Sequence, residues 1–330
     1  MHQNAKPQKH KIMKTRSLII GSAAFGMIAT FAISGCKKKD NTEAQPDTSY
    51  AYVQDHNLAE TINNDVGNIG HEAKENGTLS NYRVSGDTYV GGIAAAPCAT
   101  ITLDTSTKSF TVDFGTTPCL GRDGRTRSGK LIYNYSASTN GAKWPRQPGY
   151  SITCTSQNYV VDGYTVNIIN RTHTNTTPLG FNPATAPLTW TMSTNMQIVK
   201  PSTAGGGTIS WTATRTIELT NTNDPTVYDP SGNTPIAWNK VILKINGSGS
   251  GTTASGVSYT QTMSNLIWDA TCTPDPINRP NRHPFKSGTI TFNPSNKPAR
   301  IIDFGNGSCD FNLCVYIPAF SYTNCNVTHP

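Results

Sequence analysis

Three stretches of this chain alternate apolar and polar residues so regularly that extended strands accommodate them best. Leu188, Trp190, Met192, Thr194, Met196 and Ile198 alternate with polar neighbours, as do Ile209, Trp211, Ala213, Arg215, Ile217 and Leu219, and Val257, Tyr259, Gln261 and Met263. Period two with one apolar face is the pattern of a half-buried antiparallel strand. Gly205-Gly206-Gly207, Asp229-Pro230-Ser231-Gly232 and Gly247-Ser248-Gly249-Ser250-Gly251 lie between the strand candidates as punctuation. Strands of roughly 8–12 residues favour broad meandering sheets over a compact barrel. The expected fold is mainly β: long-stranded antiparallel sheets, as a β-sandwich or a curved sheet, built from two related halves, plus one N-terminal amphipathic helix.

That helix is expected over Gln54–Ala73, where Leu58, Ile62, Val66 and Ile69 fall on one stripe behind Val53. Asp55 near its start suits the helix dipole, and Asn76-Gly77 gives a stop signal. The stripe predicts packing on a sheet. Asp55, His56 and Glu60 have no evident chemical partner in the sequence.

Two segments repeat. Ala99-Thr-Ile-Thr-Leu runs through Val112-Asp113-Phe114-Gly115 to Cys119, and Gly288-Thr-Ile-Thr-Phe runs through Ile302-Asp303-Phe304-Gly305 to Cys309. A repeat of this kind signals one supersecondary unit used twice. Each copy reads as strand, turn, strand and a Gly turn ending in Cys. Related halves near 86–176 and 185–325 follow within a β domain at 77–330.

The N-terminus carries an address. Lys6, Lys9, Lys11, Lys14 and Arg16 precede an apolar stretch that opens at Leu18 and ends in Ile33-Ser34-Gly35-Cys36. A basic region, a short apolar region and small residues at the cut are the parts of a secretion signal. The last four residues resemble the lipoprotein signal, with Ile33 in place of the more usual Leu. That resemblance implies cleavage before Cys36 and lipid on its thiol, with residues 1–35 as signal peptide, 36–49 as lipidated tether and 50–76 as the helical segment. Met13 would also make a normal start. Lys37-Lys38-Lys39-Asp40, with no Asp directly after the cysteine, resembles the outer-membrane type, facing either the periplasm or the cell surface. The implied partner is the lipid bilayer, through Cys36.

Cleavage would remove five of the 27 basic residues and none of the 20 acidic ones, leaving a net charge of +2 in place of +7. Nucleic acid is therefore not an expected partner, since that affinity rests on phosphate neutralisation.

The first Asp-Phe-Gly and Cys119, the run Gly121-Arg122-Asp123-Gly124-Arg125-Thr126-Arg127-Ser128-Gly129-Lys130, the second Asp-Phe-Gly and Cys309-Asp310 together resemble a family of uncharacterised Gram-negative envelope lipoproteins. The resemblance covers most of the mature chain and implies no activity.

Seven cysteines remain beyond Cys36, and an oxidising compartment makes disulfides of them first. The duplication suggests Cys98–Cys119 and Cys272–Cys309, and Cys314–Cys325 is a local third pair that leaves Cys154 free. An exchange bringing Cys154 to Cys314 or Cys325 stays open, because spacing does not fix connectivity. The histidines show no metal-ligand spacing and no Gly-x-Ser-x-Gly elbow is present, so neither metal nor cofactor is expected. Asp113, Asp123, Asp303 and Asp310 are the carboxylates that a glycoside hydrolase could pair. Their duplicated setting reads first as turn chemistry. Arg122, Arg125, Arg127 and Lys130 read as a solvated loop, or as an anion or glycan patch extended by Arg279, Arg282 and Lys286. Trp190 and Trp211 sit within strand alternation and are expected in the core.

The function expected is that of a membrane-anchored, non-enzymatic structural, adhesive or ligand-binding module, with a glycan or an envelope protein as partner. The alternatives are a glycan-active hydrolase using paired Asp residues and a carrier of an apolar ligand in a cavity inside the sheet.

Overall fold

The structure is a computed structural model that describes residues 47, 51–75, 98–121, 124–229, 236–237, 240–272, 285–310 and 312–328. Cys36, the signal segment, Arg122, Asp123, Arg279 and Arg282 lie outside the described residues. No helix among the described residues is long and apolar enough to cross a membrane.

Among the described residues one α-helix, α1 (Ala51–Glu75), precedes fourteen strands: β1 (Thr100–Asp104), β2 (Ser109–Asp113), β3 (Cys119–Leu120), β4 (Thr126–Asn134), β5 (Ser151–Val161), β6 (Tyr164–Asn175), β7 (Leu188–Val199), β8 (Thr208–Leu219), β9 (Ile242–Thr252), β10 (Ser258–Asp269), β11 (Phe285–Pro294), β12 (Arg300–Asn306), β13 (Asn312–Ile317) and β14 (Tyr322–Thr328). The strands pair antiparallel in chain order into one open sheet, with β3 beside β4 off the main path and β1 and β14 at the edges. The second layer is α1 and not another sheet, so of the two forms expected, the chain adopts the single sheet covered by a helix. Period-two strands have only one apolar face to bury, and α1 and two loops cover it.

Three apolar clusters fill that face. Ile62, Val66 and Ile69 of α1 meet Phe110, Leu131, Tyr133, Ile168 and Trp211 in the largest. Val53 joins Met263, Phe285, Ile302 and Val315 in the second. Leu188, Trp190 and Leu219 are capped by Val227, Tyr228 and Ile236 from the loop after β8 in the third. The helix thus reaches from strands near one edge of the sheet to strands near the other.

The duplicated segments form hairpins of identical register. Thr100, Ile101 and Thr102 face Asp113, Val112 and Thr111, and Thr289, Ile290 and Thr291 face Asp303, Ile302 and Ile301. Each Asp accepts a hydrogen bond from the backbone N–H two residues on, Gly115 and Gly305, both at 2.9 Å. A second correspondence appears only in three dimensions. Gly129 in β4 and Gly288 in β11 both have positive φ (78° and 100°), and each faces an asparagine of φ 51°, Asn158 or Asn265. A Cβ at either glycine would meet that asparagine's carbonyl oxygen at 2.0 or 2.4 Å, so only glycine fits the two bulges. The first hairpin sits at an edge, where Leu103 is exposed, whereas its counterpart Phe292 is buried beside β10.

One expectation fails. Gly247–Gly251, read as punctuation, lies inside β9. The glycines face inward between Trp211, Ala213 and Arg215 of β8 and Tyr259, Gln261 and Met263 of β10. A Cβ at Gly249 would lie 2.7 Å from the Gln261 amide nitrogen. The large side chains of the neighbouring strands occupy the space that β9 leaves.

Three disulfides join Cys98 to Cys119, Cys272 to Cys309 and Cys314 to Cys325. Cys154 is free and buried. The exchange involving Cys154 does not occur, because its side chain points inward from the middle of β5 to the face that α1 covers.

Candidate functional site

Two described cations of the basic run, Arg125 and Arg127, do not face outward. Arg125 and Arg127 are 7% and 1% exposed. Strand alternation carries Arg127 to the helix-covered face, where its Nη2 lies 2.5 Å from Oδ1 of Asp65 in α1. Arg125 bridges Asp162 at 2.7 Å and Asp65 at 3.5 Å. Lys130 pairs with Asp113 at 2.9 Å on the surface. Lys286 pairs with Asp269 at 2.6 Å. Anion capture at the surface by Arg125 and Arg127 is thereby ruled out: both guanidiniums are spent on holding α1 and the end of β5.

The carboxylates are likewise committed locally. Asp113 caps Gly115 and pairs with Lys130, which together hold its carboxyl below the usual range. Asp303 caps Gly305, and Asp310 accepts from the N–H of Asn312 at 2.9 Å. Asp113 and Asp303 are nine strands apart in the sheet order, each in its own turn. Among the described residues no three of His, Cys, Asp and Glu group as metal ligands. Trp190 and Trp211 are in the core, each 1% exposed.

The uncovered face of the sheet carries a different pattern. One row of side chains crosses β5 to β11 at a single level: Thr153, Thr172, Ser193, Thr214, Ser248, Thr262 and Thr291, each directly opposite the next. Rows on either side are built alike, Thr174–Thr191–Thr216–Asn246 and Asn170–Asn195–Thr212–Ser250–Thr260–Asn293. Rows sit ~6.8 Å apart along each strand and neighbours within a row ~4.8 Å apart. Some hydroxyls bond across strands, as Thr212 does to Ser250 at 3.0 Å, yet each retains capacity to donate or accept. On β6–β10 the charged side chains of this face, Glu218, Lys244 and Asp269, all lie toward one end. An open depression of about 300 Å³ lies in the lattice, with Thr172, Thr174, Thr191, Ser193, Thr214 and Thr216 supplying its hydroxyls. At its edge β6 bulges against β7, and Ile169 turns outward.

The covered face holds a polar layer that the sequence left unpaired. Asp55 receives Lys200 at 2.7 Å and the N–H of Ala254 at 2.8 Å. Glu60 pairs with Arg215, and Asn63 accepts from Arg171 at 3.1 Å. His71 and His173 share a hydrogen bond of 3.0 Å. Burial holds His56 and His71 neutral, pushed down to about 3. Burial raises the Glu60 carboxyl against the opposing pull of Arg215. The signal that could have found this layer is Arg215 itself, a charge on the buried face of an alternating strand.

Compared with known proteins, the chain matches no family model, no curated protein and no solved structure.

Proposed function

We propose that the protein is a lipid-anchored envelope module whose uncovered sheet face binds a neutral glycan. The hydroxyl lattice with its depression carries this reading. Its side chains both donate and accept, as sugar hydroxyls do, and the one charged residue that lines the depression, Arg215, is turned inward to Glu60. A glycan running across the strands would place about one sugar over each strand spacing of ~4.8 Å. Among the described residues the opposite face is packed by α1 and the capping loops, where an apolar-ligand carrier would need a cavity.

A glycan array probed with the full chain in detergent tests the reading. Neutral polysaccharides should retain it, and Thr191→Glu with Thr214→Glu, both exposed, should cut retention at least tenfold by placing charge in the depression. Binding to no glycan, or retention unchanged by the two glutamates, would remove the proposal.

The anchor rests on Ile33-Ser34-Gly35-Cys36. Radiolabelled fatty acid should enter the wild type and not Cys36→Ala; equal labelling of both would sink the anchor while leaving the glycan face untouched.

A further inference from the structure

The polar layer beneath α1 is one negative charge short. Glu60 and Asn63, three residues apart, face the sheet together. Arg215 of β8 reaches Glu60, and Arg171 of β6 reaches Asn63 through Nε. Between those strands runs β7, whose inward Thr194 lies opposite Arg171 on one side and Ala213 on the other. Two guanidiniums therefore stand over one carboxylate, and only Arg215 reaches it. The other acids of the helix face are committed, Asp55 to Lys200 and Asp65 to Arg125 and Arg127.

Among the described residues Arg171 has no carboxylate partner, and a guanidinium stays charged when buried. Its remaining neighbours bring no counter-charge. Burial pushes the Tyr133 phenol well up and the Cys154 thiol up to about 12, so both stay neutral beside it. His71 and His173 are held neutral by burial, with the Arg171 charge lowering both further.

Three polar atoms of this group of neighbouring residues have no hydrogen-bond partner: Asn63 Nδ2, Thr194 Oγ1 and Arg215 Nε. Their residues are 1%, 5% and 4% exposed. Two of the three can only donate, so an acceptor is what they require.

We propose that Arg171, Asn63, Thr194 and Arg215 form a site for one small monovalent anion of halide size, enclosed between α1 and the sheet. One such charge balances Arg171 and Arg215 against Glu60 and gives each orphaned donor an acceptor. Ala213, the smallest inward side chain of β8, lies directly opposite Thr194, and the cover of α1 favours a small anion over a large one.

The full chain in detergent is titrated with chloride or bromide against gluconate at constant ionic strength while its melting temperature is followed. Halides should raise the melting temperature saturably and gluconate should not. Thr194→Val keeps the shape and removes one donor, which should raise the half-saturating halide concentration about tenfold. Arg171→Met should abolish the halide response whatever its own stability. Crystals grown in bromide should show the anomalous peak beside Asn63 and Thr194, which decides the matter if Arg171→Met fails to fold. An equal response to halide and gluconate, a halide response surviving Arg171→Met, or thiolate absorbance from Cys154 in the native protein would overturn the site.

Discussion

Arg127 of β4 and Asp65 of α1 form an ion pair across the helix–sheet interface, their side chains 0% and 11% exposed. Sixty-two residues of chain separate them, and Arg125 approaches the same carboxylate. Removing one partner of a buried pair costs roughly 3–5 kcal/mol, because the other charge stays buried and unmet. Asp65→Ala is therefore expected to lose about that much stability in urea unfolding. Asp113→Ala should lose less than ~1 kcal/mol, since its pair with Lys130 is solvated. Equal losses from the two variants would show that this pair does not fasten the helix.

Acid should loosen the structure well before its carboxylates titrate. Burial, aided by Arg215 at His56 and by Arg171 at His71, holds these two imidazoles down to about 3, and His173 lies well below its ordinary value. In the unfolded chain they titrate near about 6.5. Between about 6.5 and about 3 the unfolded state binds protons that the folded state refuses. Stability is thus full above about 6.5 and falls as the pH drops through that window. Each histidine contributes a slope of up to ~1.4 kcal/mol per pH unit. Glu60, raised by burial, acts in the opposite sense, one carboxyl against three imidazoles. Urea midpoints at about pH 7, 5.5 and 4 span the window and measure the trend; a flat series would contradict it.

Cys154 should be inert in the folded protein. Its thiol is buried and raised to about 12, so the reactive thiolate is scarce. Alkylation without reductant should label no described cysteine in native protein and Cys154 alone after denaturation. Rapid native labelling at Cys154 would place the thiol at the surface.

The two bulge glycines should be matched in cost. Gly129→Ala and Gly288→Ala each force a Cβ into a left-handed conformation and against a backbone carbonyl. Losses of roughly 2 kcal/mol or more are expected from strain and displacement together. Gly124→Ala, also at positive φ but with open space around it, should lose about 1 kcal/mol. Thermal unfolding of the three variants separates contact from conformation; a Gly124 loss as large as the others would assign the whole effect to φ.

Much of the fold was legible because its causes are local. Alternation from Leu188 to Leu219 needs only the chain's own period, and the Thr-Ile-Thr and Asp-Phe-Gly copies announce matching hairpins and suggest their cysteine pairs. The polar layer was not legible, because its partners are remote: Asp55 finds Lys200, 145 residues on. The run from Arg122 to Lys130 reads as a loop by composition. Strand geometry then turns Arg127 inward, and one position more or less would have turned it to solvent. The hydroxyl rows needed the register of several strand pairs before they appeared as rows at all.

Helix α1 leaves the ribosome before any strand that will cover it. Asp55 waits 199 residues for Ala254, and Asp47 waits 250 for Lys297. Contacts so distant in sequence slow folding, and an early apolar helix would spend that delay exposed to aggregation. This helix instead carries Asp55, His56, Asn57, Glu60 and Asn63 on surface that ends up buried, so the first element made stays hydrated while it waits. A chain that stops short of β10 lacks every strand residue of the cluster that Val53 joins, so the N-terminal turn of the helix is among the last surfaces to be covered.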